Sequence, residues 1–196
     1  MDIAEITQPP VAQFTREELI AASSNPNLPT LQQLLPKLEP GWALVTYGTG
    51  NSFTDPHNKQ ININHCQILN NGLRDLAWEI TNAINTPSRI ELETGAKNKT
   101  ISELDFVMGI HTMEAEAQLN AMKTASQLGY NLHEIGYSYL SIATYDSFIS
   151  ETITLETYIL TVANEVHQLG KIKNSKGIEL MAREEYANQY RMFFGS

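Results

Sequence analysis

Asn71-Gly72-Leu73-Arg74-Asp75-Leu76-Ala77-Trp78-Glu79-Ile80-Thr81-Asn82-Ala83-Ile84-Asn85 is the stretch on which the reading of this chain turns. Apolar residues at 73, 76, 77, 80 and 84 recur at helical spacing, and Pro87 follows. That pattern predicts a helix over residues 73–85, stopped by the proline. Leu73, Leu76, Ile80 and Ala83 define one core face, while Asp75, Trp78, Asn82 and Asn85 gather on another. A tryptophan among polar neighbours is out of place on a simple surface helix. It predicts a second layer over this face and a central position for the helix. Glu79 stands at the edge of the apolar face, where a carboxylate is costly to desolvate. It must meet water in a cleft, pair with a donor, or hold a proton at a raised pKa.

Upstream of this helix, residues 42–47 read as a strand and residues 60–64 alternate polar and apolar like a second one. A flexible Gly48-Thr49-Gly50-Asn51-Ser52 connection and an Asp55-Pro56-His57-Asn58 turn lie between them. The two strands are expected to form a small antiparallel sheet. Thr15-Arg16-Glu17-Glu18 is a capping-box pattern that starts a short helix, and residues 30–38 form another, interrupted by Pro36. Downstream, residues 89–93 read as a further short strand. Residues 103–128 form a long helix closed by Gly129, followed by helices over 150–169, closed by Gly170, and 178–193. Residues 171–176, with three lysines, read as a solvated loop. The expected fold is α+β and mostly helical, with a small antiparallel sheet beside a helical core. Residues 1–12 form a loose arm and residues 13–194 one globular domain.

A chain of 196 residues buries a core without metal or disulfide staples. Its 22 acids against 13 bases give a net charge of -9 and a pI of about 5.0. Such a surface repels phosphate backbones and lipid head groups, so neither nucleic-acid binding nor membrane insertion is expected. Cys66 is the only cysteine, so no disulfide forms within the chain, which suits a reducing compartment. Met1-Asp2-Ile3-Ala4-Glu5 has neither a basic nor an apolar signal region. A cytoplasmic location in the producing cell is expected, with export by a route that needs no signal peptide left open.

Leu76-Ala77-Trp78-Glu79-Ile80-Thr81-Asn82-Ala83 resembles the active-site helix of the zincins, the zinc peptidases whose frame reads Leu-Ala-His-Glu-Leu-x-His-Ala. Trp78 stands at the place of the first metal ligand, Asn82 at the second and Glu79 at the catalytic carboxylate. The Gly-rich segment before the helix is similar to the edge strand that lines a zincin cleft. Met113-Glu114-Ala115-Glu116-Ala117-Gln118-Leu119-Asn120 is similar to the third-ligand helix of peptidase-like bacterial toxin domains, with Glu114 or Glu116 at the matching position. The resemblance covers roughly residues 42–125. Tryptophan has no lone pair for zinc and asparagine is a poor ligand, so the resemblance implies a degenerate scaffold with no metal and no cofactor.

What the resemblance implies is a secreted bacterial effector or toxin-type domain, of the kind delivered by contact-dependent machines including type VI secretion. It would act through a carboxylate cleft or by binding a protein partner. Glu79 and Glu114 are its expected catalytic residues, and Trp78, Asn82, His111 and Glu116 its expected cleft lining. Two other classes compete. One is a non-catalytic immunity or adaptor protein working through its acidic surface. The other is a hydrolase that pairs Glu79 with a second carboxylate, for example on glycosidic bonds.

Other candidates carry less. His111 and Glu114 have a usable metal spacing, with His65, Cys66 and Glu79 as further donors, but a core histidine and a solvated glutamate explain the pair more simply. His57, His133 and His167 receive no role. His65 and Cys66 are adjacent, so on a strand they point to opposite faces. The Gly48-to-Ser52 segment lacks the lysine of a phosphate-binding loop. Tyr137, Tyr139 and Tyr145, and Tyr186, Tyr190, Phe193 and Phe194, read as packing clusters, the second also as a docking surface.

Overall fold

A computed structural model describes residues 12–48, 50–169, 171–173 and 179–193. The arm at residues 1–11, Thr49, Gly170, Lys176 and Phe194 lie outside the described residues. The architecture is α+β and mostly helical, with a small three-stranded mixed sheet. Among the described residues no helix is long and apolar enough to cross a membrane.

Helix α1 (Arg16–Ser23) opens with the capping box read from the sequence. The Thr15 hydroxyl accepts from the Glu18 N–H at 3.1 Å, and the Glu18 carboxylate accepts from the Thr15 N–H at 2.7 Å. Helix α2 (Pro29–Leu34) has proline in its first turn, where no N–H is missed, and tightens into a 3₁₀ turn (Leu35–Lys37). Leu19, Leu28, Leu31 and Leu34 come from these elements into one buried cluster with α3 (Leu69–Ile84).

The sheet is built from β1 (Ala43–Tyr47), β2 (Phe53–Asp55) and β3 (Gln60–Asn64), in the order β1-β3-β2. β1 runs parallel to β3, with Ala43 opposite Gln60, so the expected antiparallel pair is not what forms. The reason lies in the connections. β2, the next strand along the chain, lies on the other side of β3, and the Asp55 turn closes a hairpin between β2 and β3 instead. Asp55 Oδ1 accepts from the backbone N–H of His57 and Asn58, and Lys59 sits at φ +48°. Ile61 and Ile63 bury against Leu73, Leu76 and Ile80 of α3.

α3 lies at the centre, against the sheet, α1 and α2, and packs along α5 (Glu103–Gln127). Gly72 is where a side chain would not fit: a Cβ there would come within 2.6 Å of the Phe14 ring. Residues 89–93, expected as a strand, belong to α4 (Thr86–Lys97). Pro87 starts this helix as well as ending α3, and the Arg89–Glu93 ion pair at 3.2 Å uses helical four-residue spacing. Gly109 lets α4 approach α5, since a Cβ there would meet Leu92 at 2.6 Å. Gly129, at φ +79°, follows α5 as expected.

Helix α6 (Tyr139–Ile149) was not expected. Its Ser, Thr and Tyr residues are weak helix formers, and it is held by the Ser138 cap and by burial of Ile142 and Tyr145. α7 (Leu155–Leu169) and α8 (Ala182–Met192) follow. Between them β4 (Lys171–Lys173) pairs antiparallel with β5 (Glu179–Met181), so the first part of the expected lysine loop is a strand. Tyr145 joins Met122, Tyr158 and Val162 in a second buried cluster. Phe106 and Ile110 form a third beneath Tyr186, Tyr190 and Phe193.

Candidate functional site

The polar face of α3 does receive a second layer, and the gap between the layers is a groove. Two adjoining cavities, of about 710 Å³ and 500 Å³, share Asn51, Ser52, Trp78 and Glu79. The larger runs between β2, α3, α4, α5 and α8 and is lined by His57, Asn82, Arg89, Glu114 and Tyr186. The smaller is lined by Asn64, Gln67, Asp75, Gly136 and Tyr137. Glu79 therefore stands where the two meet.

Glu79 is 7% exposed. The Thr54 hydroxyl of β2 lies 2.8 Å from both the backbone oxygen and Oε2 of Glu79, and Asn82 Nδ2 donates to the same Oε2 at 3.3 Å. A hydroxyl has one proton to give. If Thr54 donates it to the backbone oxygen, Oε2 must carry its own proton and donate to Thr54. That arrangement suits a neutral carboxylic acid. Burial pushes Glu79 up to about 7, against the pull of the Thr54 and Asn82 bonds, and the charges of Glu114 and Asp75 push the same way as burial. Oε1 accepts from no described residue and is not sealed from the groove. A carboxyl that titrates near neutral pH with one oxygen open to a cavity is equipped for general acid–base work.

Glu114 is differently placed. It is half-buried, the Tyr186 hydroxyl donates to its carboxyl group at 3.4 Å, and Trp78 lines the same cavity. Burial pushes it up, while the Arg89 charge and the polar hydrogens of Tyr186 and Trp78 pull it back. Its carboxyl belongs to the groove wall with Trp78 and Tyr186. Asp75, one turn before Glu79, was noted on the polar face but not counted in the site. It lines the smaller cavity, and its Oδ2 accepts from Ser52 Oγ and Gln67 Nε2, each at 2.8 Å, while Arg74 reaches Oδ1 at 3.1 Å. Tyr137, also in this cavity, is pushed up to about 12 by burial.

Two expected lining residues lie elsewhere. His111 has 0% exposure and sits behind the groove, its ring 5.4 Å from Tyr186 and 5.3 Å from His167, both edge-on. Among the described residues neither of its nitrogens has a hydrogen-bond partner, and burial, with the His167 charge, takes it down to about 4. Glu116 is two residues from Glu114, which on a helix means a different face. Its carboxylate accepts from Asn85 Nδ2 at 2.8 Å and lines a separate recess with Leu119 and Lys123. Trp78 and Asn82 do line the groove.

Among the described residues no group of three His, Cys, Asp or Glu side chains is arranged to hold a metal. Cys66 Sγ points at the Gly48 carbonyl, 3.3 Å away. Thr54 and Tyr186, which complete the surroundings of the two carboxyls, carry no signal in the sequence. They come from segments 25 and 72 residues distant from their partners. Set against protein-family models, curated proteins and solved structures, the chain finds no match in any of the three.

Proposed function

We propose that the chain is an effector- or toxin-type domain on a zincin-like scaffold that has exchanged its metal centre for hydrogen bonds, and that it works through Glu79 in the groove. One observation carries this reading. The residues at the places of the first, second and third ligands, Trp78, Asn82 and Glu114, line one cavity together with Glu79. Glu79 keeps the position of the general base and has an open oxygen. In its ionised state Oε1 takes a proton from a bound hydroxyl or water. In the neutral state reached this way the proton sits on Oε1, with Thr54 donating to Oε2, and the carboxyl gives it back from Oε1. The bacterial origin, secretion and delivery by a contact-dependent machine belong to the same proposal and rest on the resemblance.

The test is to rebuild the metal centre. Trp78→His with Asn82→His places two imidazoles four apart on α3, facing Glu114. The folded double variant is expected to bind about one zinc per chain by calorimetry and elemental analysis. A double variant with native circular dichroism and no zinc affinity beyond that of the parent would end the zincin reading.

A second reading, a non-catalytic protein-binding module, has its own support. β2 is an edge strand beside the groove, Phe53 on it is 46% exposed, and among the described residues its outer edge has no backbone partner. Such an edge accepts an added strand from a peptide. If Glu79→Gln leaves the biological effect intact while Phe53→Lys abolishes it, binding rather than proton transfer is the function.

A further inference from the structure

A recess of about 300 Å³, separate from the groove, lies between α2 with its 3₁₀ turn, the end of α3, α5 and the start of α7. Lys37 and Lys123 both line it. In a chain with 13 bases and 22 acids, a cation has carboxylates to choose from, and Arg16, Lys59, Arg74, Arg89 and Arg191 each reach one. Lys37 and Lys123 make neither an ion pair nor a hydrogen bond with any described residue, although they share one recess. Lys123 is half-buried, and its ammonium is fixed 5.0 Å over the Phe148 ring. Burial, and then the nearby Lys37 charge, hold it below the ordinary lysine range. Glu116 is the one carboxylate lining the recess, and it is engaged by Asn85. Leu155, at the first residue of α7, brings the positive end of that helix to the same rim.

Two like charges facing a single carboxylate already engaged by Asn85, one of them partly taken out of water, leave an excess of positive charge and describe a site whose missing partner is an anion. We propose that this recess binds a small tetrahedral oxyanion, free phosphate or a phosphate monoester, between Lys37 and Lys123, with Leu119 and Leu155 as an apolar wall for any substituent it carries. The site does not depend on the reading of Glu79.

Thermal unfolding at constant ionic strength tests this with two probes, inorganic phosphate and phenyl phosphate, on the parent and on Lys37→Gln and Lys123→Gln. In the parent, phenyl phosphate is expected to raise Tm saturably by about 3 °C, the shift that ligand at about ten times its Kd gives a chain of this size. Inorganic phosphate is expected to give less, and each variant to lose both shifts. Equal shifts from the two probes, lost in the variants, would assign free phosphate as the ligand. Without added anion, Lys123→Gln should melt no lower than the parent, because it removes an unpaired, partly buried charge. Lys37 is exposed, so Lys37→Gln remains a usable test if the other variant folds poorly. No saturable shift with either probe, or an undiminished shift in Lys37→Gln, overturns the proposal.

Discussion

Glu79 on α3 and His111 on α5 are both taken almost wholly out of water, and burial drives each towards its neutral form. The carboxyl is raised to about 7 and the imidazole lowered to about 4. Their surroundings differ. Glu79 has Thr54 and Asn82 on one oxygen and a groove at the other. His111 has aromatic edges around it and, among the described residues, a partner on neither nitrogen. A buried titratable group with arranged donors and one open atom is built to exchange a proton or meet a ligand. One with neither is a ring used for its shape, at the cost of unmade hydrogen bonds. Desolvation is common to both, so geometry and not the size of the shift separates function from packing.

The comparison breaks first at Glu79. If it transfers a proton, Glu79→Gln is expected to lower turnover or toxicity by about 10²–10⁴-fold with the fold intact. A fully active variant would put Glu79 in the same class as His111.

Stability is the next measure, and here glutamine imitates the neutral acid. Between the ordinary carboxyl range and pH 7 the unfolded chain releases the Glu79 proton while the folded chain keeps it, so stability falls as pH rises through that window and the penalty is complete above it. Glu79→Gln removes the penalty. Urea unfolding at pH 8 should find the variant more stable by on the order of 2–3 kcal/mol, with no gain at pH 4.

His111 titrates with the opposite slope. Below its ordinary range near 6.5 the unfolded chain takes up a proton that the folded chain refuses until about pH 4, so stability is lost as pH falls through that window. His111→Leu should flatten this limb by about 2 kcal/mol and leave activity alone. An unchanged acid limb would mean that the ring finds water or a partner when charged.

A smaller effect sharpens the contrast inside the groove. Trp78→Phe keeps a ring but removes the indole N–H that helps to pull the Glu114 pKa down. The expected cost is about 1–2 kcal/mol in chemical denaturation, together with a further rise of the Glu114 pKa, readable by NMR titration. A neutral effect on both would show that the indole N–H does not act on Glu114.

How much of this was legible in the chain depended on range. The α1 capping box, the core face of α3, the long α5 and its Gly129 cap arise from residues within a turn or two of each other, and the sequence alone determined them. The same local pattern singled out Glu79 as a carboxylate needing an explanation and Trp78 as a ring needing a cover. The tertiary structure decided the rest. Whether β1 and β3 run parallel depends on which side of β3 the next strand, β2, takes, and periodicity does not encode that. α6, made of weak helix formers, exists because Ile142 and Tyr145 find a core. His111 became a sealed ring because Tyr186 and His167 arrive from later helices, and Glu79 became a carboxyl raised by burial with one oxygen held because β2 brings Thr54 against it. A side chain's chemistry is set by the dielectric and donors around it, and in this protein those were supplied by residues distant in sequence from the groups they tune.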